Sequence, residues 1–306
     1  MTGHLIVSVP SAPLREALGE VPDGVEIVDW DLVGPPPRDT IDVVVPPYLG
    51  GQKLEALAGV STRLVQSQLI GYDGVAESLP PGHVFANATT VHETSTAELT
   101  VTLILAAQRG IPDFVRASSQ GLWAPAVHES LADRTVLLIG YGGVGRAIEA
   151  RLLPFETIVV RVARSARTDE RGQVHAIDEL PELLPQADIV VVAVPLGEST
   201  TGLVDDAFLS RMRDGALLVN IARGGVADTD ALLAHAASGR LRLALDVTDP
   251  EPLPDGHPLF ALPNVLISPH VGGASTAMMP RMARLLHRQI DRLLRGDEPE
   301  NVVIRS

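Results

Sequence analysis

The sequence predicts an α/β protein built from two doubly wound parallel sheets, each in its own domain. Three observations carry that prediction. From residue 135 onward, near-continuous Val/Leu/Ile runs alternate with helical segments, the pattern of strands buried on both faces of a parallel sheet. A glycine-rich turn, "GYGGVG" (140–145), lies directly between one such strand and one such helix. The first ninety residues repeat β-like runs and turn signals on a smaller scale, and 306 residues suit about two domains.

Taken in order, the runs "LIVSV" (5–9), "VEIV" (25–28), "DVVV" (42–45), "RLVQS" (63–67) and "VFAN" (84–87) read as strands. They are punctuated by "GPPP" (34–37), "PP" (46–47) and "PPG" (80–82). "QKLEALA" (52–58) reads as a helix between strands. A long helix is expected from "STAE" (95–98), where Ser95 and Glu98 fit a capping box, to Arg109-Gly110. It is apolar on all sides and is expected to be buried between the domains. The strands "TVLLIG", "TIVVRV", "DIVVVAV", "ALLVNIA", "LRLALDV" and "NVLIS" follow, with helical segments at 145–153, 179–184, 205–213 and 229–237. A last helix, 280–295, carries Pro280 in its first turn and Gly296 after its end, and is expected to fold back onto the N-terminal domain. The expected boundaries are therefore 1–96 plus 280–306 for a discontinuous, flavodoxin-like substrate-binding domain, and 97–279 for the inserted second domain.

Composition narrows the functional classes. A formal net charge of −14 argues against a nucleic-acid partner, which requires clustered positive charge. With no cysteine, thiolate metal sites, disulfides and a Cys nucleophile are excluded, and no metal is expected at the site. "MTGHLIVSVP" lacks the basic segment of a secretory signal, and runs such as "IVVVAVPL" (189–196) are too short to span a bilayer. No membrane partner is expected, and a cytoplasmic location is.

Gly140, Gly142 and Gly145 form G-x-G-x-x-G in the strand–turn–helix context that a dinucleotide-binding turn requires. They permit a tight turn and close approach of backbone to a pyrophosphate at a helix N-terminus, the Rossmann-like arrangement. A carboxylate commonly ends the next strand and grips the ribose of NAD. Here that strand runs into Ala163, Arg164 and Ser165. An arginine there pairs with the 2′-phosphate of NADP, whereas a carboxylate repels it. Arg164 and Ser165 are expected on that phosphate with Arg167 adding to them, while Arg161 is expected to point elsewhere because strand side chains alternate. NADP(H) is expected over NAD(H), with NAD(H) possible. The run of four arginines (161, 164, 167, 171) also admits a plainer reading, a solvated basic edge.

Open parallel sheets bind ligands at the carboxyl ends of their strands. Three late strands end there in candidate catalytic groups: Arg223 in "LLVNIARGG", Asp246 and then Glu251 in "LALDVTDPEP", and His270 in "VLISPHVGG". Arg223 can hold a carboxylate and polarise the adjacent carbonyl through its fork of donors. His270 can protonate a forming alkoxide as a general acid. Glu251, in contact with His270, would orient that ring and favour its protonated form. Together they fit hydride transfer to a 2-keto acid.

The segments "GYGGVG" (140–145), "VAVPLGESTTGLVD" (192–205), "LLVNIARGGVAD" (217–228), "LALDVTDPEPLP" (243–254) and "SPHVGG" (268–273) resemble, in order and spacing, the D-isomer-specific 2-hydroxyacid dehydrogenases. "QLIGYDGV" (68–75) and "HETSTAEL" (92–99) match more weakly. The resemblance implies two Rossmann-like domains with the active site in the cleft between them, and Arg223, Glu251 and His270 as the catalytic set. It implies Gly143 and Val144 against the pyrophosphate, and Pro195, Thr200, Ile221, Ala222, Gly272 and Gly273 about the cofactor. Asp246 would bond the nicotinamide carboxamide, and backbone at Leu69, Ile70 and Gly71 would receive the substrate carboxylate. "ARS" (163–165) resembles the NADPH-preferring reductases of glyoxylate and hydroxypyruvate, and a homodimer formed through the cofactor domain is implied. Two departures stand out: Gly197 replaces the threonine often found after "PL", and "IGYD" replaces an "AGxD"-like stretch. Formate- or phosphite-type dehydrogenation on the same fold, and a dinucleotide-sensing binding protein without turnover, are the alternatives.

Overall fold

The computed structural model describes residues 4–48 and 50–306; residues 1–3, at the start of the expected first domain, and Leu49 lie outside them. The chain divides into two compact units, residues 1–92 with 274–306 and residues 93–273.

The first unit opens with β1 (Leu5–Val9), α1 (Ala12–Leu18), β2 (Val25–Asp29), β3 (Val43–Val44), β4 (Leu64–Gln66), α2 (Val75–Ser78) and β5 (Val84–Ala86). Helix α1 was not legible as a helix because its buried stripe is only Leu14 and Leu18, one i,i+4 pair. The stretch expected as a helix at 52–58 makes a single 3₁₀ turn, Leu54–Leu57.

The second unit begins with α3 (Glu93–Gln108) and α4 (Ile111–Ser119). Helix α3 starts before Ser95, so that residue lies buried inside the helix and is not its cap. Its buried side packs on the sheet and a neighbouring helix of the same unit. Next come β6 (Thr135–Ile139), α5 (Gly143–Leu152), β7 (Ile158–Ala163), β8 (Arg167–Asp169), β9 (Gly172–Ala176), α6 (Leu180–Leu183), β10 (Ile189–Val192), α7 (Asp206–Arg211), β11 (Leu217–Asn220), α8 (Thr229–Ala237), β12 (Arg242–Leu245) and β13 (Val265–Ile267). The chain then returns to the first unit with α9 (Met278–Arg295) and β14 (Val302–Arg305). Helix α9 buries Met278, Met282, Leu285, Leu286, Gln289, Ile290 and Leu293, the three-and-four spacing of one helical face, and packs on α1.

Strand order in the first sheet is β14-β5-β4-β3-β1-β2, all parallel except β14 against β5. Numbered from its own first strand, its parallel part runs 2-1-3-4-5, the flavodoxin-like order. The second sheet runs β13-β12-β11-β10-β6-β7-β9-β8. Its strands β9-β7-β6-β10-β11-β12 reproduce the 3-2-1-4-5-6 Rossmann order, with β13 and the antiparallel β8 added at the edges. Alternate residues of β6 and β10 enter opposite cores: Leu137, Ile139, Val190 and Val192 on one face, Val136, Leu138, Ile189 and Val191 on the other. Order reverses between β6 and β10, so the loops after those strands flank the crevice where such sheets take ligands.

Among the described residues no helix is long and apolar enough to cross a membrane.

Candidate active site

The glycine turn follows β6 at that switch point. Gly140 has φ +104°, and a Cβ on it would stand 2.4 Å from the Ala193 carbonyl oxygen that follows β10. A Cβ on Gly145 would stand 2.2 Å from the Gly140 carbonyl oxygen. Both contacts are impossible, so only glycine lets β6, β10 and α5 meet this closely. At Gly142 a Cβ would meet nothing within 4 Å. Gly142 and Gly143 are exposed, and Val144 is half-buried. Open space beside bare backbone at the N-terminus of a ten-residue helix suits an anionic group such as a pyrophosphate, so these residues fit a dinucleotide.

The four arginines after β7 do not form one patch. Arg161 and Arg171 both turn to Glu149, a fully buried carboxylate on α5. Arg164, Ser165 and Arg167 remain exposed, and Arg167 donates one guanidinium N–H to the Tyr141 carbonyl at 3.2 Å. The plainer reading of the run as a solvated edge therefore fails for Arg161, while Arg171 pairs with Glu149 and stays partly at the surface. The hairpin β8–β9, not anticipated from the sequence, carries Arg167 and Arg171.

After β10, Thr200 donates its hydroxyl to the Pro195 carbonyl at 2.7 Å, closing the loop that holds Gly197. After β11, Ile221 and Ala222 are buried. Arg223 is half-buried in extended backbone and donates to the Ala222 carbonyl at 2.7 Å. Asn220, 1% exposed, shapes this turn: its Oδ1 accepts from the Ala222 amide at 3.0 Å and its Nδ2 donates to the Arg223 carbonyl at 3.2 Å.

After β12 and β13 lies the tightest polar cluster at this edge. Asp246 is buried. Its Oδ1 accepts from the Ser268 hydroxyl at 2.7 Å and the Val271 amide at 2.9 Å, and its Oδ2 from the Gly272 amide at 2.9 Å. The same loop holds His270 at φ +52° with its amide on the Asp246 carbonyl. The His270 Nδ1–H donates to Glu251 Oε1 at 2.5 Å, which leaves Nε2 directed away from the pair as the second proton-bearing position. Gly273 follows Gly272 at the end of this loop.

In the first unit, the loop after β4 carries Leu69, Ile70 and Gly71, all half-buried. The Leu69 amide donates to the Ser67 hydroxyl at 3.0 Å. The Leu69 carbonyl accepts from Ala88, the Ile70 carbonyl accepts from Asn87, and His92 holds the Gln68 carbonyl. Asn220, Ser268 and Ser67 were all missed from the sequence, yet each leaves the same signal. Each is a polar residue at the end of an apolar-rich run ("LLVN", "VLIS", "LVQS"); the Asn220 and Ser67 side chains bond the turn that follows, and the Ser268 hydroxyl bonds Asp246.

Comparison with known proteins identifies a family and a shared fold. The family model for the D-isomer specific 2-hydroxyacid dehydrogenase NAD binding domain matches residues 101–272. The human glyoxylate reductase/hydroxypyruvate reductase is 32% identical over 303 residues, covering 92% of each chain. A glyoxylate reductase of Thermofilum pendens is 31% identical, covering 80% of this chain and 76% of its own. Among solved structures, a D-isomer specific 2-hydroxyacid dehydrogenase of Xanthobacter autotrophicus, in complex with NADPH and MES, superposes with a TM-score of 0.84 at 26% identity, covering 99% of this chain and 98% of its own. An NADPH-dependent glyoxylate/hydroxypyruvate reductase of Sinorhizobium meliloti, in complex with NADP and malonate, superposes with a TM-score of 0.78 at 25% identity, covering 100% and 98%.

Proposed function

The chain belongs to the D-isomer specific 2-hydroxyacid dehydrogenase family, and on that premise we propose that it reduces small 2-keto acids such as glyoxylate or hydroxypyruvate with NADPH. The observation that carries the reading is the His270–Glu251 pair at the carboxyl edge of the sheet that also delivers Arg223. A reduced nicotinamide held by the residues named below would supply the hydride for this reduction. Arg223 holds the carboxylate and polarises the neighbouring carbonyl. His270 delivers its Nε2 proton to the oxygen as it becomes an alkoxide, so hydride and proton together complete the alcohol. Glu251 keeps the ring in the tautomer and orientation that expose Nε2. The amides of Ile70 and Gly71, which make no hydrogen bond among the described residues, are suited to the substrate carboxylate.

The cofactor assignment is supported by the open backbone at Gly142 and by Arg164, Ser165 and Arg167 after β7, with Pro195, Thr200, Ile221, Ala222, Gly272 and Gly273 completing its surroundings. Asp246 keeps one lone pair of its four for the nicotinamide carboxamide. Homodimer formation is supported by the apolar side chains that α4 and the loop after it leave exposed: Ile111, Phe114, Val115, Leu122 and Trp123. The deciding experiment is the initial rate of cofactor oxidation with glyoxylate or hydroxypyruvate, comparing NADPH with NADH. Faster turnover with NADPH is expected. A preference for NADH would overturn the cofactor assignment, and no turnover on a broad 2-keto acid panel would favour a binding role.

A further inference from the structure

We propose that Glu149 is a positioning residue for cofactor selection: by gathering Arg161 and Arg171 on one buried carboxylate, it anchors the β8–β9 hairpin beside the glycine turn and so places Arg164 and Arg167 for an adenosine 2′-phosphate. The inference rests on the NADPH reading above.

Glu149 has no exposed surface, yet it carries a charge on a helix whose buried neighbours are Ile148 and Leu152. Such a group requires donors on every side. It has three: the Tyr141 hydroxyl, Arg161 Nε and Arg171 Nη1, the last at 2.7 Å. Burial alone would push Glu149 up, but those three donors outweigh it and hold the carboxylate below the ordinary glutamate range. The Tyr141 hydroxyl is pushed up, first by burial and then by Glu149.

These partners come from three places. Tyr141 lies inside the glycine turn, between Gly140 and Gly142. Arg161 comes from β7, the strand that leads into Arg164. Arg171 sits at the tip of the β8–β9 hairpin. Strand β9 is tied to β7 by its backbone ladder and buries Val174 in the core, but β8 is a three-residue edge strand, "RTD", that adds no side chain to either core, so the outer strand and the tip of the hairpin need a further anchor. Beyond the pairing with β9, their ties to the unit are polar. Arg161 donates to the Arg171 carbonyl, Arg167 to the Tyr141 carbonyl, and Arg146 faces Asp169 at 3.8 Å. Arg161 and Arg146 also approach the Tyr141 ring, at 5.6 and 5.4 Å from its centroid. Tyr141 therefore links Glu149 to Arg167 through one residue: hydroxyl to the carboxylate, carbonyl to the guanidinium. Without the Glu149 carboxylate, the Tyr141 hydroxyl, Arg161 and Arg171 lose the group that joins them, the single Arg167–Tyr141 bond is left to tie the glycine turn directly to the hairpin, and Arg164 and Arg167 are held less firmly in place.

The test measures binding of adenosine 2′,5′-bisphosphate and of 5′-AMP by calorimetry to the wild type, Glu149→Gln and Arg171→Met. The wild type should favour the bisphosphate. Glu149→Gln should weaken bisphosphate binding roughly tenfold while leaving 5′-AMP within about twofold. Arg171→Met removes a side chain that is partly at the surface and leaves Tyr141 and Arg161 on the carboxylate, so it carries the test if Glu149→Gln does not fold; it should shift selectivity in the same direction. A wild type that does not favour the bisphosphate overturns the NADPH reading and this inference with it. A wild type that discriminates, together with folded variants that discriminate equally or lose both ligands in parallel, overturns the positioning role alone.

Discussion

The His270 amide donates to the Asp246 carbonyl at 2.8 Å, and the Asp246 carboxylate accepts from the two residues that follow it, Val271 and Gly272. One buried aspartate thus fixes the backbone of the candidate acid on one side, while Glu251 fixes its ring on the other. The position of this histidine is set by β12 and the loop after it as much as by its own loop.

His270→Ala should lower kcat for 2-keto acid reduction by about 10²- to 10⁴-fold, the usual contribution of a positioned general acid. Steady-state kinetics on a variant with unchanged cofactor binding checks it. Turnover at the wild-type rate would remove His270 from the mechanism. Glu251→Gln, which keeps the shape but not the charge, should lower kcat by less.

Asp246→Ala should cost stability as well as rate. It strands the Ser268, Val271 and Gly272 donors, and a buried donor left unsatisfied costs about 1–3 kcal/mol. A lower denaturant midpoint with a similar slope is expected. Unchanged stability would mean that the loop is held by other contacts.

Arg164→Asp should reverse the cofactor preference, since it replaces a 2′-phosphate partner with a group that repels it. The ratio of kcat/KM for NADPH and NADH reads this directly. A ratio that stays put would make Arg164 a surface residue.

Acid stability should follow Glu149. Its folded carboxyl sits below the value of about 4.3 found in unfolded chains, so the unfolded state binds more protons in that window. The stabilisation is complete above about pH 4.3 and is lost as pH falls through the depressed folded value. Denaturant midpoints measured from pH 7 to pH 3 should fall more steeply for the wild type than for Glu149→Gln. Parallel curves would show that this carboxylate does not set the acid limit.

Trp123→Asp, at a side chain 96% exposed in the single chain, should shift the protein from dimer to monomer by light scattering. A wild type that is already monomeric would overturn the assembly reading.

The sequence by itself determined the alternation of apolar strands and helices, the turn at Gly140–Gly145, and the placing of Arg223, Asp246 and His270 at strand ends. These are local properties, carried by residue type and spacing along a few consecutive positions. Strand alternation already set Arg161 apart from Arg164 in the sequence. Tertiary structure alone decided where Arg161 goes, and only the fold of the β8–β9 hairpin brings Arg171 to the same buried carboxylate. Glu149 likewise reads as an ordinary charged helix position, because nothing near it in sequence announces that Arg161 and Arg171 will meet it. Its partners lie 8 to 22 residues away, and the low dielectric that makes a buried carboxylate require them exists only once the core has closed around it.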